Sequence, residues 1–274
     1  MEKLNGVVKK NSKKLSKMEI KIAIIGAGNL ATRISASLKA KDVEIVQVFS
    51  RTEKSASVLA EKLGCSFTSD PLLVTKDADI YIVSVSDSAL CELLPKINFN
   101  NKLVAHTAGS VSIDVLKESS ANYGVFYPLQ TFSKQRSIDF SSVPFCIEAN
   151  SLANEKILVE LASKLSGDVR IISSEQRKQI HLAAVFASNF VNHMLAVAAK
   201  ILAEKDVPLD ILFPLIEETI AKAKEMDPIL AQTGPAVRND QNTINEHMRM
   251  LSNTSDLKEL YDNLSKSILN FSNL

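Results

Sequence analysis

The sequence predicts an α/β fold, a doubly wound and mostly parallel sheet, followed by an all-α C-terminal domain. Short apolar runs alternate with amphipathic helical patterns from residue 19 to about residue 174. Such alternation is typical of a parallel sheet with helices on both faces. After residue 174 the strand pattern ends and only helical patterns follow. The chain has 274 residues, 46% of them hydrophobic, which is enough for one large or two medium domains.

The elements of the first half follow one another in regular order. The strands are near-continuous apolar runs, and the helices carry apolar residues every three or four positions. Strands are predicted over 20–25, 43–49, 79–85, 102–106, 125–128, 143–148 and 169–172. Helices are predicted over 29–39, 53–63, 88–94 and 152–165.

The second half begins with a helical pattern over 175–205 that contains neither Gly nor Pro. At 1.5 Å per residue it predicts a helix about 45 Å long. Further helices are predicted over 209–224, 240–251 and 256–269. We therefore expect a flexible basic tail at 1–18, an α/β domain at 19–174 and a helical dimerisation and substrate domain at 175–274.

A glycine turn follows the first strand, in the order Gly26, Ala27, Gly28, Asn29, Leu30. The first glycine permits a tight turn, and the second lets backbone approach a pyrophosphate. The helix that begins there offers free N–H groups and a partial positive charge to phosphates. Because the motif lies between a strand and a helix, it predicts a dinucleotide site of the Rossmann type. A purely structural turn is the alternative.

The end of the second strand indicates which dinucleotide binds. NAD sites usually carry Asp or Glu at this position, for the ribose hydroxyls. This chain has Ser50, Arg51 and Thr52 instead, and a guanidinium with two hydroxyls suits the 2′-phosphate of NADP. We therefore expect NADP rather than NAD, the alternative being that Arg51 is an ordinary surface residue.

Two more strands end in residues suited to the same cleft, because ligands of such sheets lie beyond the carboxyl ends of the strands. Val85 ends the third predicted strand and Ser86 follows it, where small side chains let a cofactor approach the backbone. His106 ends the next strand, in the sequence HTAGS. It is a candidate for substrate contact, with a structural histidine as the alternative.

The long helix carries a polar stripe on an otherwise apolar surface. At 100° per residue, Ser188 falls within about 20° of His181 and Asn189 within about 80°. His, Ser and Asn suit a small polar ligand better than the Glu and Lys of an ordinary surface. His181 is the best candidate for proton transfer, because imidazole gains and loses a proton near neutral pH. Ser188 and Asn189 would orient the substrate, unless these residues only bond neighbouring helices.

Composition argues against several other classes of protein. Lys plus Arg is 32 and Asp plus Glu is 31, so a net charge of +1 gives no reason to expect nucleic acid as a partner. Four histidines without a close pair predict no metal site. Three scattered cysteines fit a reducing cytoplasm. No apolar run approaches the roughly 20 residues of a membrane span, so we expect no membrane contact.

Several of these segments resemble a known superfamily. The start IAIIGAGNLA, the SRT after the second strand and the long helix resemble the pyrroline-5-carboxylate reductase and 6-phosphogluconate dehydrogenase-like superfamily. HTAGS, YPLQTFS, HLAAVFASNF and TGPAVRND resemble more closely a bacterial branch, often labelled Rossmann-like oxidoreductase with a C-terminal domain of unknown function. That resemblance covers about residues 19–270.

The resemblance implies an NADP-binding N-terminal domain and a helical C-terminal domain, like that of 6-phosphogluconate dehydrogenase, which builds a homodimer. The small-molecule substrate would lie between the two domains. Two departures argue against transferring a substrate. The Lys-x-x-Asn pair of the hydroxyacid dehydrogenases is not cleanly present, since Lys178 and His181 occupy that region. The glycine-rich helix start of the pyrroline reductases is replaced by residues 185–189.

Two functions of different class fit these observations. The first is an NADP-dependent oxidoreductase that moves a hydride between nicotinamide and a small carbonyl or imine, or in reverse from a hydroxy or amino metabolite. The second is a dinucleotide-binding sensor or scaffold without turnover. A third option, within the enzyme class, is a deazaflavin coenzyme bound at the same turn.

Overall fold

The computed structural model describes residues 20–133 and 135–272. The basic tail predicted at 1–18 lies outside the described residues. The chain divides into two compact units, the first ending at Val191 and the second spanning Asn192–Leu274. The boundary predicted at residue 174 coincides with the start of a long helix, whereas the two compact units divide within that helix.

The first unit is built on an eight-stranded sheet. Its strands are β1 (Lys21–Ile25), β2 (Glu44–Phe49), β3 (Ser66–Thr68), β4 (Ile80–Val83), β5 (Leu103–His106), β6 (Tyr123–Pro128), β7 (Phe145–Ala149) and β8 (Val169–Ile171). Their order is β3-β2-β1-β4-β5-β6-β7-β8. Every neighbouring pair is parallel except β6 with β7. The strand order reverses direction between β1 and β4, so the doubly wound, mostly parallel sheet is confirmed.

Helices cover both faces of this sheet, which is why its strands are apolar without alternation. In β1, Ile22 and Ile24 belong to one buried cluster, while Ala23 and Ile25 belong to another. Successive side chains of a strand point to opposite faces, so both faces of β1 are buried. The helices of this unit are α1 (Asn29–Lys39), α2 (Glu53–Leu63), α3 (Asp87–Leu93), α4 (Leu152–Ser163) and α5 (Ser174–Ala184).

The long helix predicted over 175–205 is present but is not uniform. It consists of α5, a π-helical segment over Val185–Phe190, and α6 (Val191–Ala203). A π turn closes i→i+5 bonds, so each residue advances less than 100° around the axis. By length and composition alone, the helix Ser174–Ala203 could cross a membrane, so the expectation that no segment would qualify is wrong. A single helix of this kind is only weak evidence for a membrane span. None of its apolar window is buried.

The second unit is all-helical, which confirms the helical C-terminal region. Besides α6 it contains α7 (Phe213–Glu225), α8 (Gln241–Met250) and α9 (Ser255–Ser272). Asp240 caps α8, because its carboxylate accepts a hydrogen bond of 3.1 Å from the Thr243 N–H. Among the described residues after Val191, only Ala236 is buried. This unit by itself therefore has almost no core.

Candidate active site

The glycine turn after β1 has the geometry expected of a phosphate-binding turn. Gly26 has φ +122°, and a Cβ there would lie 2.1 Å from the Ser84 carbonyl oxygen. Only glycine fits this position, in both conformation and space. A Cβ on Gly28 would meet nothing within 4 Å. The first glycine therefore makes the turn, and the second leaves open space in front of it.

The helix that follows this turn presents its N-terminus to that open space. Gly28 is the N-cap of α1, and it has no side chain that could bond the first turn. The side-chain nitrogen of Asn29, Nδ2, donates a 3.0 Å hydrogen bond to the Phe132 carbonyl oxygen. The first N–H groups of α1 are therefore available to an anion, which the helix dipole also favours.

The turn opens into a cavity of about 850 Å³, a volume typical of small-molecule sites. The cavity brings together residues from the ends of β1, β2 and β4, as the switch in strand order predicts. All nine residues that the sequence proposes for the cofactor line it: Gly26, Gly28, Asn29, Leu30, Ser50, Arg51, Thr52, Val85 and Ser86.

Charged side chains of both signs line the cavity, and the carboxylates are those of Asp87 and Glu92. Arg51 lines it with its side chain exposed. Lys96, which sequence reasoning missed, lines the same cavity. The Thr52 hydroxyl donates a 2.8 Å hydrogen bond to the Ser55 hydroxyl, and both residues line the cavity. Two cations and several hydroxyls suit a phosphate group.

The cavity also holds Tyr127 and His181, at the end of β6 and on α5. The Tyr127 hydroxyl lies 3.4 Å from His181 Nδ1. Burial is the largest cause that raises the pKa of Tyr127, so its hydroxyl stays protonated at neutral pH. His181 is thus the one proposed catalytic residue that lines this cavity. The sequence singled out YPLQTFS as a polar turn but not its tyrosine.

His106 does not reach the cavity, contrary to its proposed substrate contact. The side chain is 0% exposed and lies behind the cavity wall formed by Thr107 and Ala108. Its Nδ1 accepts a 3.1 Å hydrogen bond from the Ala108 N–H. Burial, and secondarily the Arg177 charge, lower the pKa of His106 to about 4. His106 is therefore a neutral, buried side chain, as the structural alternative predicted.

The structure also does not bring Ser188 and Asn189 to the cavity beside His181. Both lie in the π-helical segment, whereas the polar stripe was deduced for 100° steps throughout. The wider π turn changes the direction of every residue after Ala184. Neither residue lines the 850 Å³ cavity, so their role in orienting a substrate stays a prediction.

Helix α5 is fixed to the sheet by a buried charge that the sequence did not indicate. Arg177 is 0% exposed, and its guanidinium lies 2.5 Å from the Glu148 carboxylate of β7. The guanidinium also donates a 2.5 Å hydrogen bond to the carbonyl oxygen of Val111, which follows β5. Paired and hydrogen-bonded, such a charge can be buried. It lies one helical turn before His181 and so holds that residue at the cavity.

Two protein families match this chain. The family described as "NADP oxidoreductase coenzyme F420-dependent" matches residues 21–115. The family described as "Domain of unknown function (DUF2520)" matches residues 143–268. The first match contains the glycine turn, Arg51 and His106, and the second contains the long helix with His181. A search of curated proteins gives no significant match.

Solved structures extend these matches along the chain. A Bacteroides fragilis protein, provisionally described as an NADP oxidoreductase, is 48% identical, with a TM-score of 0.87 over 92% of this chain and 98% of that one. Two similarities show the fold alone. A 1-pyrroline-5-carboxylate reductase from Streptococcus pyogenes has 15% identity and a TM-score of 0.60, covering 92% and 98% of the two chains. An imine reductase from Myxococcus stipitatus, in complex with NADP+, has 17% identity and a TM-score of 0.63, covering 90% of this chain and 92% of that one. The chain therefore belongs to the NADP oxidoreductase family in which a Rossmann-like domain precedes a DUF2520 domain, and it is an oxidoreductase.

Proposed function

We propose that the cavity binds NADP and that the enzyme transfers a hydride between the nicotinamide and a small carbonyl or imine. The observation that carries this proposal is one continuous cavity that joins the glycine turn to Tyr127 and His181. The open space at Gly28, the uncapped start of α1 and the charge of Arg51 fit the parts of a phosphorylated dinucleotide.

The residues divide into those that would hold the cofactor and those that face the substrate. Gly28 and the start of α1 would bind the pyrophosphate, and Ser50, Arg51 and Thr52 would bind the 2′-phosphate. When bound, NADPH would supply the hydride, and NADP+ would accept it in the reverse direction. His181 would hold or move the proton that accompanies the hydride. The substrate atom that gains or loses this proton is an oxygen or a nitrogen.

Coenzyme F420, a deazaflavin, is a second candidate because the description of one matching family names it. The chain's own residues favour NADP, since Arg51 follows β2, where a 2′-phosphate would lie, and Lys96 lines the same cavity. Both cofactors permit hydride transfer. A sensor without turnover, in contrast, would bind NADP and leave it unchanged.

Calorimetric titration with NADPH, NADH and F420, followed by a turnover screen, tests this function. We expect NADPH to bind most tightly, and its absorbance to fall when 1-pyrroline, 1-pyrroline-5-carboxylate or glyoxylate is added. Tighter binding of F420 would move the assignment to that coenzyme. Tight NADPH binding without loss of absorbance for any of these probes would favour the sensor.

We also propose that the protein acts as a homodimer formed by its helical unit. Only Ala236 is buried among the described residues of that unit, and large apolar side chains are exposed on it. They include Ile211, Phe213, Leu215, Leu230 and Met250, each at least 50% exposed. An accumulation of exposed large apolar side chains on one unit favours an association site, and symmetric pairing of identical chains is the commonest way to cover it.

Light scattering tests the dimer. The purified protein should have twice the 30.0 kDa mass of one chain. Leu215→Glu, which places a charge on α7, should lower the mass to that of the monomer. Leu152→Glu is the matched control, since Leu152 is an exposed leucine of the first unit. A wild-type protein with the mass of a monomer would refute the dimer. We also propose a cytoplasmic location, and recovery of the protein only from the membrane fraction would instead favour a membrane span by Ser174–Ala203.

A further inference from the structure

Tyr127 and His181 form a side-chain pair that the glycine motif does not explain. Their rings meet edge to face, with centroids 6.4 Å apart, and the hydroxyl lies 3.4 Å from Nδ1. Both residues line the cavity, although Tyr127 is only 9% exposed. The 3.4 Å distance is long for a hydrogen bond, but catalytic contacts often shorten when ligands bind.

Gly109 makes the space in which this pair meets. A Cβ on Gly109 would lie 2.6 Å from His181 Nδ1, and 2.9 Å from the Tyr127 Oη and Cζ atoms. Gly109 is not among the glycines with positive φ, so its backbone does not require glycine. The reason for glycine at this position is therefore the approach of the two side chains, in contrast to Gly26.

We propose that Tyr127 is a catalytic residue, the direct proton donor to the substrate, and that His181 acts as its proton partner. This inference rests on the proposed function. The substrate carbon accepts the hydride, its π-bond pair moves to the oxygen or nitrogen, and that atom takes the proton from Tyr127 Oη. His181 then returns a proton to the Tyr127 oxygen and regains one from water. The substrate is reduced by two electrons and NADPH is oxidised by two.

The surroundings of Tyr127 suit a donor that needs a partner. Burial, Cys146 on the facing strand β7, and Asp87 all raise the pKa of Tyr127, while Arg177 lowers it. The hydroxyl is therefore protonated at neutral pH. A phenol of raised pKa gives up its proton reluctantly, so an imidazole beside Oη that replaces the proton makes the transfer feasible.

Tyr127→Phe removes only the hydroxyl, and Tyr123→Phe is the matched control at the other end of β6, outside the cavity. With the probe that the wild type reduces fastest, Tyr127→Phe should lower the rate about 10²–10⁴-fold and leave NADPH affinity unchanged. Gly109→Ala should separate the pair and cost about 10²-fold. Gly167→Ala, where the nearest atom would lie 3.8 Å away, should cost nothing.

A second readout needs neither cofactor nor substrate. In the cofactor-free protein, the ring ¹⁵N signals of His181, assigned with His181→Asn, should move in Tyr127→Phe and Gly109→Ala. They should not move in the two control variants. Unchanged His181 signals and an unchanged rate in Tyr127→Phe would overturn the inference while the proposed function stands. A wild type that binds NADPH but reduces none of the three probes would refute the proposed function, and the donor role with it.

Discussion

The buried imidazole of His106 predicts a specific dependence of stability on pH. Its pKa is about 4 in the folded chain, against 6.5 for an ordinary histidine. The unfolded chain therefore takes up this proton first as the pH falls, and folding becomes less favourable below pH 6.5. At 1.36 kcal/mol per pKa unit, the decrease in the free energy of unfolding reaches about 3 kcal/mol near pH 4 and levels off below that pH.

The variant His106→Asn isolates this contribution, because an amide oxygen can still accept from the Ala108 N–H but does not titrate. Urea unfolding of both proteins at pH 7, 6, 5 and 4.5 gives the free energies of unfolding. The wild type should lose about 1.4 kcal/mol per pH unit more than the variant below pH 6.5. Parallel pH curves would refute the reasoning and reopen His106 as an accessible, site-facing group.

Three other predictions concern the site. Arg51→Glu should weaken NADP binding by about 1.5–3 kcal/mol and leave NAD binding unchanged, and Lys54→Glu is a nearby control. Equal affinities of the wild type for NADP and NAD would contradict the NADP assignment. His181→Asn should keep the melting temperature and cofactor affinity but lower the rate about 10²–10⁴-fold; a much lower melting temperature would make it a packing residue. Gly28→Ala should fold and lose cofactor affinity, whereas Gly26→Ala should fail to fold, as circular dichroism will report.

The cofactor end of the site could be predicted from the sequence because its determinants are local. A glycine turn between an apolar strand and a helix has few structural solutions, and the ends of parallel strands meet at one edge of the sheet. The structure accordingly brings Gly28, Arg51 and Ser86 to one cavity. The bounds of α1 and α2 follow from the helical period and agree with the structure at both ends.

The substrate end could not be predicted, because its determinants are not local. Tyr127 and His181 are 54 positions apart and meet only through the packing of α5 on the sheet. The buried Arg177 that fixes this packing has the sequence context of a surface residue. The π-helical segment that redirects Ser188 has no signal in a uniform helical period.

One measurement tests the central claim most directly, namely that the cavity holds NADP for hydride transfer. NADPH deuterated at nicotinamide C4 on both faces is incubated with the protein and 1-pyrroline, 1-pyrroline-5-carboxylate or glyoxylate, and the products are analysed by mass spectrometry. The account predicts a product one deuterium heavier, formed by the wild type and about 10²–10⁴-fold more slowly by His181→Asn. Bound NADPH that never loses its deuterium to any probe would contradict the account.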